Sequence, residues 1–220
     1  MDEVLQRLKE GVRRFQTEVY PQQAEVFAQA ASVPQRPHTL FIACGDSRVD
    51  PIAITSSGTG EVFVTRNIGN MVPAYGDMLG GVSAVIEFAV TSLNVRHIVI
   101  CGHTHCGAMH ALLDPESVAD MPTVKNWIEN AHAALVAVET LQERTTAITT
   151  DERMIDVLTE QNVLLQMQHL KTHPSVARAM AKGELTISGW IYCIGTGEVC
   201  VAEDGQQTFT PIGVALPTSV

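Results

Sequence analysis

With 220 residues, 45% of them hydrophobic and 17% charged, the chain has the bulk of one α/β domain with a sizeable core, which excludes an intrinsically disordered protein. A net charge of −10 argues against nucleic acid and anionic membrane surfaces as partners. The opening MDEVLQRLKEG is acidic and amphipathic rather than signal-like, and no apolar run is long enough to span a bilayer, so a cytoplasmic location with free thiols is expected.

Leu5, Leu8, Val12 and Phe15 recur at helical spacing, which predicts an amphipathic helix over 2–18, and PQQAEVFAQAA continues as a second over 21–31. The prolines of VPQRP (33–37) mark a connector. Short apolar runs predict strands at 39–43, 61–65, 96–101 and 185–194. A helix capped by Asp77 is expected over 78–93, with Gly80 and Gly81 permitting close packing. Longer helices are expected at 122–141 and 151–171, the second announced by a capping box from Thr149 to Glu152. Pro174 opens one more short helix that Gly183 ends. WIYCIGTGEVCV then reads as a β-hairpin turning at Thr196-Gly197, which pairs Ile194 with Val199 and Cys193 with Cys200. The expected fold is α/β: a central, mostly parallel sheet flanked by helices, with an N-terminal helical arm.

Two strand ends carry metal-ligand residues. VICGHTHCGAM (99–109) places Cys101 inside a strand and His103 and Cys106 at and beyond its carboxyl end, in a turn opened by Gly102. Four ligands drawn from six residues, one still in the strand, make a poor tetrahedron, so His103 and Cys106 are expected to bind and Cys101 and His105 are not. TLFIACGDSRVDP (39–51) repeats the grammar, with Cys44 at a strand end. In an open α/β sheet, sites form outside the carboxyl ends of strands. Cys44, His103 and Cys106 therefore form the expected metal set, and Asp46 can reach the same point or turn away toward Arg48, whose guanidinium can grip a carboxylate with two prongs.

Three firm ligands and a releasable fourth position suit a catalytic zinc rather than a closed structural one. Zinc lowers the pKa of bound water from ~16 toward ~7. Two thiolates donate more charge than imidazoles, so this water is expected to titrate somewhat higher. Asp46, freed by Arg48, would take its proton and aim the hydroxide. Cys101, Cys193 and Cys200 are expected to be buried or paired thiols, and His97, His105 and His110 to be solvated or supporting groups.

CGDSR and HTHC resemble the two metal motifs of the β-class carbonic anhydrases. The resemblance continues through GEVFVTRNIGNMV (60–72), GGVSAVIEFAV (80–90) and GWIYCIGTGEV (189–199), in the family's order. It implies a single domain over 1–220 with a helical arm over 1–32, one zinc ion per chain, and hydration of carbon dioxide to bicarbonate with Asp46 and Arg48 as catalytic residues. It also implies a substrate pocket including Gln35, Phe63, Ile68 and Gly102, at a subunit interface of a dimer or an assembly of dimers. Relatives on the same fold that hydrolyse carbonyl sulfide or carbon disulfide stand as the alternative, beside a zinc-stabilised regulatory protein without turnover. Two positions depart from the family pattern: Phe88 stands where tyrosine is frequent, and Phe41 where the bicarbonate-inhibited branch has tryptophan, although Arg66 and Tyr192 match that branch.

Overall fold

The computed structural model describes residues 2–76, 80–144 and 151–213. Among them, six strands form one sheet in the order β2-β1-β3-β4-β5-β6. β1 (Thr39–Cys44), β2 (Val62–Asn67), β3 (His97–His103) and β4 (Thr186–Tyr192) run parallel, while β5 (Val199–Glu203) and β6 (Thr210–Pro211) run antiparallel. β1 and β3 are continuous apolar runs because both faces of a parallel sheet are covered. From Leu40 to Cys44, and from Ile98 to His103, every residue is buried.

The arm comprises α1 (Asp2–Arg14), a π-helical turn at Phe15–Val19, a 3-10 turn at Tyr20–Gln23 and α2 (Ala24–Ser32). No described side chain from Glu3 to Ser32 is buried. Among the described residues its aromatic packing is internal: Phe15, Tyr20 and Phe27 contact one another with centroids 5.3–6.2 Å apart. The apolar stripe Val4, Leu5, Leu8, Val12 thus lies open to solvent.

Between the strands run α3 (Pro51–Thr55), α4 (Gly81–Thr91), α5 (Gly107–Leu113), α6 (Pro122–Ile128), α7 (His132–Arg144), α8 (Asp151–Lys171) and α9 (Pro174–Ala181). The helix expected over 122–141 is two helices joined by a 3-10 turn at Glu129–Ala131. The helix expected over 78–93 spans Gly81–Thr91, and its proposed cap Asp77 lies outside the described residues, as does Thr149 of the capping box. α8 packs across β3 and β4, where Val163, Met167 and Leu170 join Ile98, Ile100 and Ile187 in the main core.

The hairpin register differs from the expected one. Tyr192 pairs with Val199, and Cys200 with Ile191 rather than Cys193. The turn takes four residues because Gly197 adopts φ +76°, and its amide, with that of Thr196, bonds to the Cys193 carbonyl. Cys193 thereby faces Glu198, so the two thiols do not oppose each other, and both are free.

Candidate metal centre

The strand order places β1 between β2 and β3. The chain leaves β1 toward one neighbour and returns to it from the other, so a crevice opens beyond the carboxyl ends of β1 and β3. Cys44 ends β1, His103 ends β3, and Cys106 sits at the N-cap of α5. Their ligand atoms lie within 4.8 Å of one another, and all three residues are buried. His105, between them, takes φ 56° to turn the chain from strand to helix. β3 runs through Gly102, so the turn opens after His103 rather than at the glycine. A Cβ on Gly102 would meet Val163 at 2.8 Å and Thr159 at 2.9 Å, so this glycine admits α8 against the sheet.

The donors fit a zinc ion. His103 Nδ1 donates to the Thr104 carbonyl at 2.9 Å, which leaves Nε2 as a bare lone pair. That Nε2 is fully buried and has no hydrogen-bond partner, a costly state for a polar atom unless something binds it. One imidazole nitrogen and two sulfurs are the borderline-soft set that zinc takes in tetrahedral sites. The two sulfurs titrate as a pair. The Cys106 thiol faces Cys44, and the proton they share pulls Cys44 below the ordinary thiol range despite burial. The same shared proton, with burial, pushes Cys106 up.

Asp46 is turned to Arg48. Arg48 Nε donates to Oδ1 at 2.9 Å, Nη2 to Oδ2 at 2.7 Å, and the Arg48 amide to Oδ1 at 3.0 Å. These bonds hold the carboxyl well below the usual carboxylate range. Oδ2 still lies 3.9 Å from His103 Nε2, next to the ligand cluster. Arg66 pins the turn by donating to the carbonyls of Cys44 and Asp46.

The pocket residues are scattered within one chain. Ile68 is exposed beside Gly45. Phe63, paired with Leu40 in the sheet, packs at a tilt on Phe88 with centroids 6.1 Å apart. Gln35 lies on the exposed connector before β1, at the far end of that strand from Cys44. Cys101 is fully buried within β3 and outside the ligand group, and burial, with Cys44 nearby, pushes its thiol up to about 12. His97 is held by the Thr186 and Ser188 hydroxyls. Phe41 is buried edge-on to Trp190, with centroids 5.6 Å apart.

A set of supporting residues escaped the sequence reading. On α8, the buried Asn162 donates to the Gly69 carbonyl at 3.1 Å, and the buried Gln166 accepts from the Val72 amide at 2.8 Å. Gln166 also donates to Asn162 Oδ1 at 2.9 Å, which fixes the orientation of that amide. His169 and His173 bond the Val72 and Pro73 carbonyls. The readable signal was a polar stripe at i, i+4 and i+7 (Asn162, Gln166, His169) beside an apolar one on α8, with His173 just beyond its end.

The profile of the family described as carbonic anhydrase matches residues 39–199. A carbonic anhydrase of Synechococcus elongatus is 44% identical over 196 residues, covering 89% of this chain and 70% of the relative. One from Pseudomonas aeruginosa is 40% identical over 203 residues, covering 92% and 90%. Among solved structures, the β-carbonic anhydrase CcaA superposes with a TM-score of 0.90 at 35% identity, covering 97% of this chain and 94% of that one. A Coccomyxa β-carbonic anhydrase in complex with acetazolamide gives 0.73 at 30% identity, covering 94% and 87%.

Proposed function

The chain belongs to the carbonic anhydrase family and its reaction is the reversible hydration of carbon dioxide; from that premise we propose that Cys44, His103 and Cys106 hold one zinc ion per chain, with Asp46 and Arg48 controlling the fourth position. The observation that carries the assignment is His103 Nε2, buried without a partner between two sulfurs. When bound, zinc supplies the Lewis acidity that activates water near neutral pH.

The chain's own residues do the rest. Arg48 keeps both Asp46 oxygens off the ligand cluster, leaving room for water. Oδ2, next to the cluster, accepts a hydrogen bond from the reacting water and orients it. Arg48 holds the Asp46 carboxyl toward its ionised form, so it can accept the water's hydrogen bond, aim it and take its proton. Thr104, through its carbonyl, keeps the imidazole in the tautomer that presents Nε2 inward.

The assembly is a homo-oligomer, a dimer or an assembly of dimers. Two features support this: the arm's uncovered apolar stripe, which needs an apolar cover, and a Sordaria macrospora β-carbonic anhydrase described as tetrameric, which superposes with a TM-score of 0.80 at 27% identity, covering 93% of this chain and 98% of that one. Gln35 precedes β1, whose five steps from Thr39 to Cys44 alone span ~17 Å at ~3.3 Å per residue, so it serves a pocket from a neighbouring copy. No described helix is long and apolar enough to cross a membrane, and the free cysteines suit a reducing, cytoplasmic setting.

Stopped-flow carbon dioxide hydration, with metal content measured before and after chelation, tests the reading. Turnover should need one zinc per chain, and Cys44→Ser and Cys106→Ser should lose the metal while Cys101→Ser keeps it. Stoichiometric zinc in either ligand variant overturns the assignment. Turnover of carbonyl sulfide without carbon dioxide hydration redirects the substrate.

A further inference from the structure

Between α4 and α9 lies a cavity of about 330 Å³ that shares no residue with the metal centre. The α4 wall brings Glu87, and the α9 wall brings Ser175 and Arg178. Lys182 and Glu184 also line it and pair with each other at 3.7 Å. Glu87 and Arg178 do not pair: among the described residues, neither side chain has a hydrogen bond or an ion pair. Opposite helices thus each bring one unpaired charge, of opposite sign, to the same space.

His173, the N-cap of α9, is only 2% exposed and lines the same cavity. Its Nε2 meets the Pro73 carbonyl at 3.1 Å, and a carbonyl only accepts, so Nε2 carries the proton. Burial lowers the ring's pKa and favours that neutral form. Nδ1 is then a bare lone pair, and no described group donates to it. Among the described residues, the partnerless side-chain nitrogens sealed from solvent are Asn70 Nδ2 and His103 Nε2. Nδ1 of His173 is therefore open, and in so buried a residue the cavity is what it opens to. Ser175 follows Pro174 at the start of α9, so its backbone N–H has no acceptor within the helix. Arg178 stands nearly one turn later, and helical side chains lean back toward the N-terminus, which brings its guanidinium toward that amide.

These groups sort by chemistry. The Arg178 fork, the Ser175 amide and the positive end of α9 suit a carboxylate. The Glu87 carboxylate and the His173 lone pair suit an ammonium. A simple anion would face Glu87 and leave the histidine nitrogen unmatched, and a simple cation would face Arg178 and the helix end. We propose that this cavity binds a free α-amino acid, its carboxylate on Arg178 and the Ser175 amide and its ammonium on Glu87 and His173 Nδ1. The two charged groups of an α-amino acid are attached to one carbon, which matches donors and acceptors set two residues apart at His173 and Ser175. The volume falls at the low end for small-molecule sites, and Tyr75, edge-on to His173 with centroids 5.6 Å apart, offers a ring for the ligand's side chain. The arm's apolar stripe finds no match in these charged walls.

The test uses the full-length zinc-loaded protein, with each of the twenty proteinogenic α-amino acids as probe and binding read by isothermal titration calorimetry. At least one should bind saturably, one molecule per chain. For the tightest binder, the N-acetyl derivative lacks the ammonium and the decarboxylated amine lacks the carboxylate. Each should bind at least about tenfold more weakly, the scale of one lost charged hydrogen bond. Arg178→Ala and Glu87→Gln should each weaken the amino acid to a similar degree. Both side chains are exposed, so neither replacement touches the core, and zinc content and carbon dioxide hydration should stay at parental values. Saturable binding by none of the twenty overturns the proposal. So does a one-charge derivative that binds as tightly as its parent amino acid, or parental affinity in either variant.

Discussion

Arg48→Ala removes two of the three hydrogen bonds that hold Asp46. Nε→Oδ1 and Nη2→Oδ2 disappear, while the Arg48 backbone amide still reaches Oδ1 at 3.0 Å. The carboxylate keeps its tether at one oxygen and gains freedom at the other. Oδ2, 3.9 Å from His103 Nε2 with the guanidinium present, has no remaining donor in the native set and one strong attraction, the metal. It should swing inward and close the fourth position at a direct bond of ~2.2 Å. Displacing the reacting water from its place costs about 10²-fold in kcat/KM or more, the scale on which small misplacements act in an oriented site. Arg48→Lys keeps the charge but offers a point donor to one oxygen at a time, so an intermediate loss is expected. The assays are stopped-flow hydration, metal content, and a crystal structure of Arg48→Ala at alkaline pH. Full zinc, a native fold and a closed four-ligand site are the expected results. Near-parental turnover with Asp46 still off the metal would show that Arg48 is a salt-bridge partner and nothing more.

Burial pushes the Cys101 thiol up to about 12, whereas a cysteine in the unfolded chain titrates near ~8.5. A thiol raised on folding contributes stability that is complete below the unfolded value and is lost as pH rises toward the folded one. Between pH 9.5 and 11 the parent should therefore lose about 1.4 kcal/mol per pH unit more than Cys101→Ala, and equal slopes in denaturant titrations would contradict this. Gly102→Ala should cost roughly 1–3 kcal/mol by forcing β-branched Val163 and Thr159 away from the sheet. Calorimetry should then show the melting temperature lower by about 2–4 °C for each kcal/mol lost, and an unchanged value would mean α8 yields freely. Removing residues 1–32 should reduce the oligomer to a smaller species by analytical ultracentrifugation, and an assembly of parental size would remove the arm from the interface.

The residues of the candidate metal centre were legible in the sequence because their placement is local. Cys44 and His103 end apolar runs whose β-branched content makes them buried strands, and Cys106 follows within one turn. Such patterns depend on neighbours a few positions away. The arm was legible for the same reason: its stripe obeys helical spacing whether or not anything covers it. The hairpin register was not. Both a two-residue and a four-residue turn fit IGTG, and the choice was settled by the left-handed conformation of Gly197 and the double bond onto Cys193. Gly102 read as a turn former until α8 proved to lie against it. Asn162 and Gln166 bond to backbone 93 and 94 residues away. Trp127 reaches Ile68 across 59. Backbone carbonyls and amides are the same at every position, so no side-chain pattern along the chain marks which of them a distant indole or amide will find. The order of residues along the chain set which atoms can hold a metal ion. Only tertiary packing decided what holds those atoms in place, because peptide groups carry no residue identity until the fold brings a donor to them.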